Sequence, residues 1–427
     1  MKPRVLILGA GFAGLEAAQR LAGKPVEVTL IDRQNHHLFQ PLLYQVATSG
    51  LSAPEICQPV RAIFSDARNI RVVMDEITGI DLDKREVATA QGHHPFDYLV
   101  VALGSRTSWF GREDWERHAP GLKTIGDALS IRSRLLRAFE SAETTRDQTE
   151  RERLMTIVIV GGGPTGVELA GACAELARHV LRRDFRAINP AQTRVVLIEA
   201  MDRILPQLPE RLGQAAAHEL ERLGVEVRTG TRVREVDADG VTVGDAERIP
   251  SANVVWAAGV QASPLGRLLG AETDRAGRVR VLEDLSLPGH RNVFVAGDMA
   301  AIQAPDGSPV PGVAPAAMQM GRFLGSLIAR EATATQPADR PAFRYLDKGS
   351  MATIGRSAAV AKIGPLEFGG FPAWLAWMFI HLLFLVGFRN KIAVLLQWTY
   401  AYFAYKRGAR VILPEPEPLP IPTPPAR

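Results

Sequence analysis

A glycine-rich motif in the middle of the chain constrains its fold more than any other feature. Thr156–Val160 is a β-branched run, which is typical of a buried parallel strand. The run ends at three glycines with the spacing Gly-x-Gly-x-x-Gly, which are Gly161, Gly163 and Gly166. The first glycine permits a tight turn, the second lets backbone approach a pyrophosphate, and the third lets the next helix pack on the strand. On its own, this motif also fits a glycine-rich turn in any α/β protein.

The same strand–turn–helix pattern occurs a second time, near the N-terminus. Residues 4–14 contain an apolar run followed by Gly9, Gly11 and Gly14. Asp32 stands 18 residues after Gly14, close to the interval expected for the acid that binds a ribose hydroxyl. This complete pattern predicts that the N-terminal unit binds an adenine dinucleotide. Two such units in one chain predict an α/β fold with two dinucleotide-binding, Rossmann-like domains.

The C-terminal of the two units has its own candidate acid. Glu199 ends a predicted strand and lies 33 residues after Gly166. A carboxylate at this position binds the ribose 2′-hydroxyl and repels a 2′-phosphate, which favours NADH over NADPH. Two apolar runs that end in glycine, 98–104 and 254–259, extend the internal repeat.

Other segments are predicted to complete the ligand edge. Residues 292–300 form a predicted strand with Asp298 at its carboxyl end, where ligands of doubly wound sheets bind. A helix is predicted over 314–330, and a small β-meander over 70–90. The apolar loop 35–47 fits either core packing or a wall of the cofactor pocket.

Composition excludes several classes of function. Cys57 and Cys173 are too few for a disulfide scaffold or a thiolate metal site, and they form no Cys-x-x-Cys pair. The nine histidines show no metal-ligand spacing, and the adjacent His36 and His37 are interpreted as surface or turn residues. Five Lys and Arg residues and no acid lie within 389–410, so the net charge of +4 belongs to that segment. The rest of the chain has no basic surplus that would indicate nucleic-acid binding.

The C-terminal region is predicted to meet a membrane surface. Residues 371–388 are apolar except for His381, residues 392–405 are apolar and aromatic, and 371–405 hold 11 of the 28 aromatic residues. Aromatic residues flanked by Lys and Arg are typical of membrane–water interfaces. A buried hairpin and a transmembrane hairpin are alternatives, although neither run clearly reaches the roughly 20 residues of a spanning helix. We favour interfacial helices on an anionic leaflet, followed by an unstructured Pro-rich tail over 413–427.

Taken in order, these motifs resemble those of type II NADH:quinone oxidoreductases (alternative NADH dehydrogenases) along nearly the whole chain. The resemblance rests on the aromatic C-terminal pair and on residues 9–14, 37–47, 161–171, 293–298 and 348–356. It implies FAD in the N-terminal unit, NADH in the other, and electron transfer to a membrane quinone in a respiratory chain without proton pumping. It also implies a homodimer, bound peripherally to the cytoplasmic face of the inner (plasma) membrane through residues 371–410.

The resemblance also implies which residues bind the cofactors. The candidates for FAD are Gly9, Gly11, Phe12, Ala13, Gly14, Asp32, Arg33, Ala102, Gly104, Gly297, Asp298 and Ala317. The candidates for NADH are Gly161, Gly163, Thr165, Gly166, Glu199, Ala258 and Gly259. No metal site is expected.

Two residues are candidates for catalysis. Glu168 matches a family acid near the nicotinamide and the quinone, but it also fits a first-turn carboxylate stabilised by the helix dipole. The family often has two glutamines on the helix after Asp298, and here only Gln319 remains because Pro315 takes the other place. We expect the Gln319 amide to be a buried donor beside the isoalloxazine.

The same reasoning predicts the domain organisation. An FAD-binding domain comprises residues 1–120 and 285–345, an NADH-binding domain 121–284, and a membrane-associating region 346–412. Three other functions stay open: a sulfide:quinone oxidoreductase, a ferredoxin- or rubredoxin-type reductase, and a membrane-associated sensor with a structural flavin. The first needs active-site cysteines, and the second would not share the aromatic C-terminal region.

Overall fold

Two parallel sheets, each centred on one of the glycine motifs, form the framework of the protein. The structure is a computed structural model that describes residues 2–334, 339–404 and 408–412. The predicted tail and the basic residues Lys406 and Arg407 lie outside the described residues.

The strands, in chain order, are β1 (Arg4–Leu8), β2 (Glu27–Asp32), β3 (His36–Leu38), β4 (Cys57–Pro59), β5 (Ile70–Met74), β6 (Ile77–Asp81), β7 (Glu86–Thr89), β8 (Gly92–Pro95), β9 (Tyr98–Val101), β10 (Ser105–Thr107), β11 (Thr156–Val160), β12 (Arg194–Ile198), β13 (Val225–Arg228), β14 (Val233–Asp237), β15 (Gly240–Val243), β16 (Glu247–Pro250), β17 (Asn253–Trp256), β18 (Val260–Ala262), β19 (Val279–Arg280), β20 (Ser286–Leu287), β21 (His290–Val295), β22 (Ala300–Ala301), β23 (Ser350–Gly355), β24 (Ala358–Ile363) and β25 (Leu366–Gly369). The helices are α1 (Phe12–Leu21), α2 (Leu43–Ala47), α3 (Ala53–Ile56), α4 (Val60–Ile63), α5 (Ile125–Thr144), α6 (Gln148–Leu154), α7 (Pro164–Glu175), α8 (Glu210–Arg222), α9 (Ala314–Glu331), α10 (Gly370–Phe384) and α11 (Phe388–Ala404).

The first sheet has six strands in the order β20-β21-β9-β1-β2-β5. All neighbouring pairs are parallel except β20 with β21. The sheet therefore joins the N-terminal segment to β21, which lies nearly 200 residues later in the chain. The meander prediction over 70–90 is wrong in part, because β5 extends this parallel sheet and only β6–β8 form the antiparallel meander.

The second sheet has four parallel strands in the order β13-β12-β11-β17. β11 lies between β12 and β17 as β1 lies between β2 and β9, so the repeat seen in the sequence is a structural repeat. We call β1–α1–β2 the first nucleotide unit and β11–α7–β12 the second nucleotide unit. The predicted bounds of β1, β11 and β12 match the observed ones, because their apolar runs end at a glycine or an acid.

The helices of the two units are covered by different parts of the chain. α9 packs on α1 at close range, because a Cβ on Gly321 would overlap the carbonyl oxygen of Ala13 and one on Gly325 would lie 2.6 Å from that of Ala17. α7 packs instead on β23, where a Cβ on Gly171 would overlap the carbonyl oxygen of Ile354. Glycine is thus required at these contacts because backbone meets backbone.

The C-terminal region combines the three-stranded antiparallel sheet β23–β25 with α10 and α11. Ala373 and Trp377 of α10 are buried in the same core as α7 and the second sheet. Within the part of the chain that the structure describes, no helix combines the length and apolar character needed to cross a membrane.

Candidate functional site

The first nucleotide unit makes a tight glycine turn at the carboxyl end of β1. Gly9 has a φ of +98°, and a Cβ there would collide with the carbonyl group of Ala102. A Cβ on Gly14 would overlap the carbonyl oxygen of Gly9, so α1 begins directly against the turn. Asp32 closes the turn, because its Oδ2 accepts a hydrogen bond from the amide of Ala10 at 2.6 Å.

The second nucleotide unit repeats this geometry. Gly161 has a φ of +113° and lies against the backbone of Ala257 and Ala258, while a Cβ on Gly166 would overlap the carbonyl oxygen of Gly161. Glu199 Oε2 accepts from the amide of Gly162 at 2.6 Å, as Asp32 accepts from Ala10 in the first unit. Each unit therefore places a carboxylate beside its glycine turn, in spite of the longer interval before Glu199.

Both turns fit a dinucleotide. A Cβ on Gly11 or on Gly163 would meet nothing within 4 Å, so the middle glycine of each turn faces open space at a helix N-terminus. Backbone amides at such an end bind phosphate groups. These residues fit the pyrophosphates of FAD and NADH.

His37 is a functional candidate that the sequence interpretation missed. It is 2% exposed, and its Nδ1 lies 2.9 Å from the carbonyl oxygen of Ala10 in the first turn. Burial lowers its pKa. Its Nε2 is buried and has no hydrogen-bond partner among the described residues, so His37 is an unsatisfied polar group beside the first turn. The interpretation of His37 as a surface or turn residue is therefore wrong.

Asp298 lies at the centre of a polar cluster. Ser105 Oγ donates to Asp298 Oδ2 at 2.6 Å, and Lys123 Nζ donates to Ser105 Oγ at 3.3 Å. Burial lowers the pKa of Lys123, and the charge of Asp298 offsets part of that effect. Ser105 and Lys123 come from segments that carried no recognisable motif, so only the fold identifies them.

The other predicted FAD residues have varied positions. A Cβ on Gly297 would lie 3.5 Å from the Cβ atoms of both Ala13 and Ala317, so these three residues meet beside the first turn. Phe12 is half-buried and makes edge contacts with the rings of His37 and Phe39.

The remaining candidates lie at the rims of the two sites. Gly104 has a φ of +68°, which allows the turn that leads into β10. Arg33 and Thr165 are exposed. Ala258 and Gly259 lie beyond the carboxyl end of β17, next to the second turn.

Gln319 does not have the predicted environment. It is half-buried on α9, its Nε2 donates to the carbonyl oxygen of Leu346 at 3.0 Å, and its Oε1 accepts from the Leu346 amide at 2.9 Å. The expectation of a buried amide is wrong, because this side chain ties the extended segment before β23 to α9.

Glu168 has a different setting, at the wall of a cavity of about 120 Å³. The residue as a whole is 8% exposed, and Oε1 of its carboxyl group accepts a hydrogen bond from the amide of Thr353 at 3.4 Å. Burial raises the pKa of Glu168 to about 8, so at neutral pH it is a protonated acid. The alternative interpretation, a first-turn carboxylate stabilised only by the helix dipole, would leave Glu168 ionised. The burial of Glu168 therefore favours a chemical role.

Aromatic side chains from α10 and α11 also line the cavity. These are Trp374, Trp377, Trp398 and Tyr402. Trp398 Nε1 donates to Gln45 Oε1 at 2.8 Å, which fixes α11 against α2. The prediction of core packing for the loop 35–47 is confirmed, because Phe39 and Tyr44 lie in the core. Tyr44 and Gln45 also line the cavity, and a wall of the cofactor pocket stays a prediction.

The π-helical turn Leu176–Val180, which follows α7, supplies the cavity with His179 and Val180. Gln319 does not line this cavity, so the two predicted catalytic residues lie in different places.

The two cysteines are unsuited to thiol chemistry. Cys173 is fully buried in the core, and burial raises the pKa of Cys57 to about 12. A thiolate is the reactive form of cysteine, and neither environment favours it.

Comparison with known families agrees with this architecture. Residues 3–321 match the family described as pyridine nucleotide-disulphide oxidoreductase, and residues 348–405 match the NDH2 C-terminal domain. Among solved structures, NDH2 from Plasmodium falciparum in complex with NADH superposes with a TM-score of 0.88 at 19% identity, covering 96% of this chain and 100% of that one. The sulfide:quinone oxidoreductase of Aquifex aeolicus superposes with a TM-score of 0.69 at 19% identity, covering 94% and 95% of the two chains.

Curated relatives are more similar in sequence. The type II NADH:quinone oxidoreductase Ndh of Mycobacterium tuberculosis is 49% identical over 421 residues, which cover 96% of this chain and 90% of the relative. A probable NADH dehydrogenase of Dictyostelium discoideum is 30% identical over 92% of this chain and 88% of the relative. With its two nucleotide units and its matching C-terminal region, the chain belongs to the type II NADH:quinone oxidoreductase family, whose members use NADH and FAD.

Proposed function

We propose that FAD binds at the first nucleotide unit, that NADH binds at the second, and that quinone is reduced at the cavity beside Glu168. In this assignment, residues 1–120 with 285–345 form the FAD-binding domain, residues 121–284 the NADH-binding domain, and residues 346–412 the membrane-associating region. Bound FAD supplies the redox chemistry, since a flavin accepts hydride and releases electrons to a quinone. The chain itself supplies binding, orientation and a proton.

The roles of the chain follow from its contacts. The two glycine turns hold pyrophosphates, Asp32 and Glu199 bind ribose hydroxyls, and the cluster around Asp298 holds the ribityl chain. Glu168 carries a proton at its carboxyl group at neutral pH and can donate it to a quinone oxygen that gains charge. Gln319 remains a candidate residue near the flavin. Its role would be indirect, because its side chain anchors the segment that contains Leu346.

The position of the cavity is the observation that carries this proposal. The cavity lies where α7, the helix of the second nucleotide unit, meets α10, α11 and the β23–β24 hairpin, which we call the C-terminal hairpin. The cavity lining combines a buried acid with aromatic side chains, which suits a flat, largely apolar acceptor. The same two helices carry the exposed apolar surface described next, so a lipid-soluble quinone has a short route to the cavity.

The exposed surface of α10 and α11 supports peripheral membrane binding. Nine large apolar side chains on these helices are 41–77% exposed, namely Phe371, Leu375, Phe379, Leu383, Ile392, Leu395, Leu396, Tyr400 and Phe403. We call this set the apolar stripe. Exposed apolar stripes of this size mark interaction sites, and aromatic ones suit the lipid interface.

Among the described basic residues of 389–410, Arg389 is exposed, Lys391 Nζ donates to the carbonyl oxygen of Leu383 at 2.7 Å and keeps its charge, and Arg410 pairs with Asp184. The apolar stripe and the charges of Arg389 and Lys391 therefore both contribute to membrane binding. The protein binds as a homodimer to the cytoplasmic face of the plasma membrane and passes electrons into a respiratory chain without pumping protons.

Two assays test the electron acceptor and the absence of proton pumping. Purified protein should show a flavin spectrum and oxidise NADH with a soluble quinone, but not with sulfide or ferredoxin as the partner. Vesicles with the enzyme bound to their outer face and a trapped pH indicator should oxidise external NADH with no change of internal pH, because the one proton consumed with each NADH is taken up outside. Turnover with sulfide, or a change of internal pH during turnover, would contradict the proposal.

Membrane binding is tested by vesicle flotation of Phe379→Asp and Phe403→Asp, which should each weaken binding. Met74→Asp is the matched control, because Met74 is 54% exposed on β5 in the first sheet. Equal losses in all three variants would contradict the assignment of the apolar stripe.

The sulfide:quinone alternative is not favoured by the cysteines. That chemistry needs reactive thiols, whereas Cys173 has no access to solvent and the thiol of Cys57 is held protonated by burial.

A further inference from the structure

Phe110 has an unusual backbone conformation and an unusual exposure. Its φ of +54° lies in the left-handed region, which residues other than glycine rarely adopt. Its ring is 70% exposed, although the preceding residue, Trp109, is buried. A strained backbone that presents an apolar ring to solvent is not explained by core packing, and such strain is concentrated at functional sites.

The loop that carries Phe110 is fixed to the second sheet. Strand β10, just before the loop, pairs with β18. The Ser108 amide donates to the carbonyl oxygen of Gly259 at 3.1 Å, and Trp256 Nε1 donates to the carbonyl oxygen of Ser108 at 2.8 Å. The backbone that carries Phe110 is therefore held by hydrogen bonds between two segments that are distant in sequence.

The ring lies on Gly259, at the carboxyl edge of the second sheet. A Cβ on Gly259 would lie 2.7 Å from Cζ of Phe110, so the ring occupies the space that the absent side chain of Gly259 leaves open. The next residue toward β17, Ala258, abuts the second glycine turn, because a Cβ on Gly161 would lie 2.6 Å from its Cα. Phe110 thus stands at the rim of the ligand edge of the second nucleotide unit.

We propose that Phe110 is a positioning residue for NADH, forming an aromatic wall against which the nicotinamide half of the dinucleotide packs. This inference rests on the proposed binding of NADH at the second nucleotide unit. β17 lies on the opposite side of β11 from β12, whose Glu199 binds the adenine ribose in that assignment, so the edge beyond β17 is the nicotinamide side. A nicotinamide ring is flat and, when oxidised, cationic, and both properties favour contact with a fixed aromatic ring.

The test measures nucleotide affinity and protein stability separately in the FAD-loaded enzyme. Phe110→Ala should raise the Kd for NAD⁺ by about tenfold, which corresponds to the loss of one aromatic contact. Phe110→Trp should stay within about threefold of the parent, because it keeps an aromatic ring. Leu282→Ala is the control, since Leu282 is 49% exposed on a turn beside the first sheet, and it should leave the Kd unchanged.

Phe110→Gly separates the positioning role from a structural one. Glycine adopts the left-handed conformation without strain, so the thermal midpoint measured without nucleotide should be unchanged or higher while NAD⁺ affinity falls. An unchanged Kd in Phe110→Ala would overturn the inference. The inference would also fail if Phe110→Ala and Phe110→Gly lost affinity only in proportion to their loss of thermal stability. A change of oligomeric state with unchanged affinity would overturn it too, because the ring would then belong to a contact between protein chains.

The proposed function fails independently of Phe110. If the parent enzyme binds no NADH, or if Glu199→Gln leaves nucleotide binding and selectivity as they were, the second nucleotide unit is not the NADH site. An unchanged Kd in Phe110→Ala alongside an effect of Glu199→Gln would overturn only the inference about Phe110.

Discussion

Two glutamates occupy the same position in the two nucleotide units and have opposite environments. Glu16 and Glu168 each stand two residues after the last glycine of their motif and are the fifth residues of α1 and α7. Glu16 forms an ion pair with Arg322 of α9, with N–O distances of 2.6 and 2.8 Å. Glu168 faces the cavity, accepts from the Thr353 amide, and has a pKa raised to about 8 by burial.

The difference is set by what packs on each helix rather than by the repeat itself. α9 covers α1 and brings an arginine to Glu16, so that carboxylate serves to join two helices. The C-terminal hairpin β23–β24 covers α7 and brings the Thr353 amide to Glu168, and α10 and α11 bring aromatic rings to the same cavity, where the carboxyl stays protonated. The same position in the repeat thus holds an ion-paired carboxylate in the first unit and a buried acid in the second.

The largest expected effect concerns the pH dependence of stability. Burial keeps the proton on Glu168 up to about pH 8 in the folded protein, whereas the unfolded chain releases it near the ordinary glutamate pKa of 4.5. The native state therefore binds more protons than the unfolded state in this window, and the free energy of unfolding falls as pH rises through it. Glu168→Gln should remove roughly 3–5 kcal/mol of this fall between about pH 4.5 and 8. Denaturant titrations at a series of pH values measure it, and a parallel loss in parent and variant would contradict the buried-acid assignment.

The next effect compares the two helix contacts. Gly171→Ala should cost about 3 kcal/mol, because its Cβ overlaps the backbone of β23, and it should displace the C-terminal hairpin from α7. Gly325→Ala places its Cβ 2.6 Å from the Ala17 carbonyl oxygen and should loosen α9 from α1 at a cost of about 1–2 kcal/mol. The rate of quinone reduction per bound FAD should fall only in Gly171→Ala, and the fraction of FAD retained should fall only in Gly325→Ala. The reverse pattern would show that the two coverings have been assigned the wrong roles.

The smallest effect concerns the acids that close the turns. The parent enzyme should prefer NADH strongly, because Glu199 would repel a 2′-phosphate. Glu199→Gln should narrow the ratio of kcat/KM for NADH over NADPH by about tenfold, or 1.4 kcal/mol. Asp32→Asn, the equivalent change in the first unit, should leave that ratio alone and weaken FAD binding. Equal use of both nucleotides by the parent would contradict the assignment.

Sequence patterns predicted the parts of this structure that depend on neighbours in the chain. β1, β11 and β12 were predictable because β-branched runs end at glycines or acids, and both glycine turns follow from local conformational needs. The burial of His37, the anchoring of Gln319 by Leu346 and the Ser105–Lys123 cluster were not, because each depends on segments brought together only by the fold. The same holds for the contrast between the two glutamates.

Stopped-flow kinetics on Glu168→Gln and Glu16→Gln tests the central claim most directly, because it resolves flavin reduction by NADH from flavin oxidation by a soluble quinone. Glu168→Gln should slow the quinone step by about 100-fold, as expected for loss of a general acid, and leave reduction by NADH within about twofold. Glu16→Gln should leave both steps unaltered while lowering the free energy of unfolding by about 1 kcal/mol. If Glu168→Gln slowed the reduction by NADH instead, or left the quinone step as fast as Glu16→Gln does, quinone would not be reduced at the cavity beside Glu168.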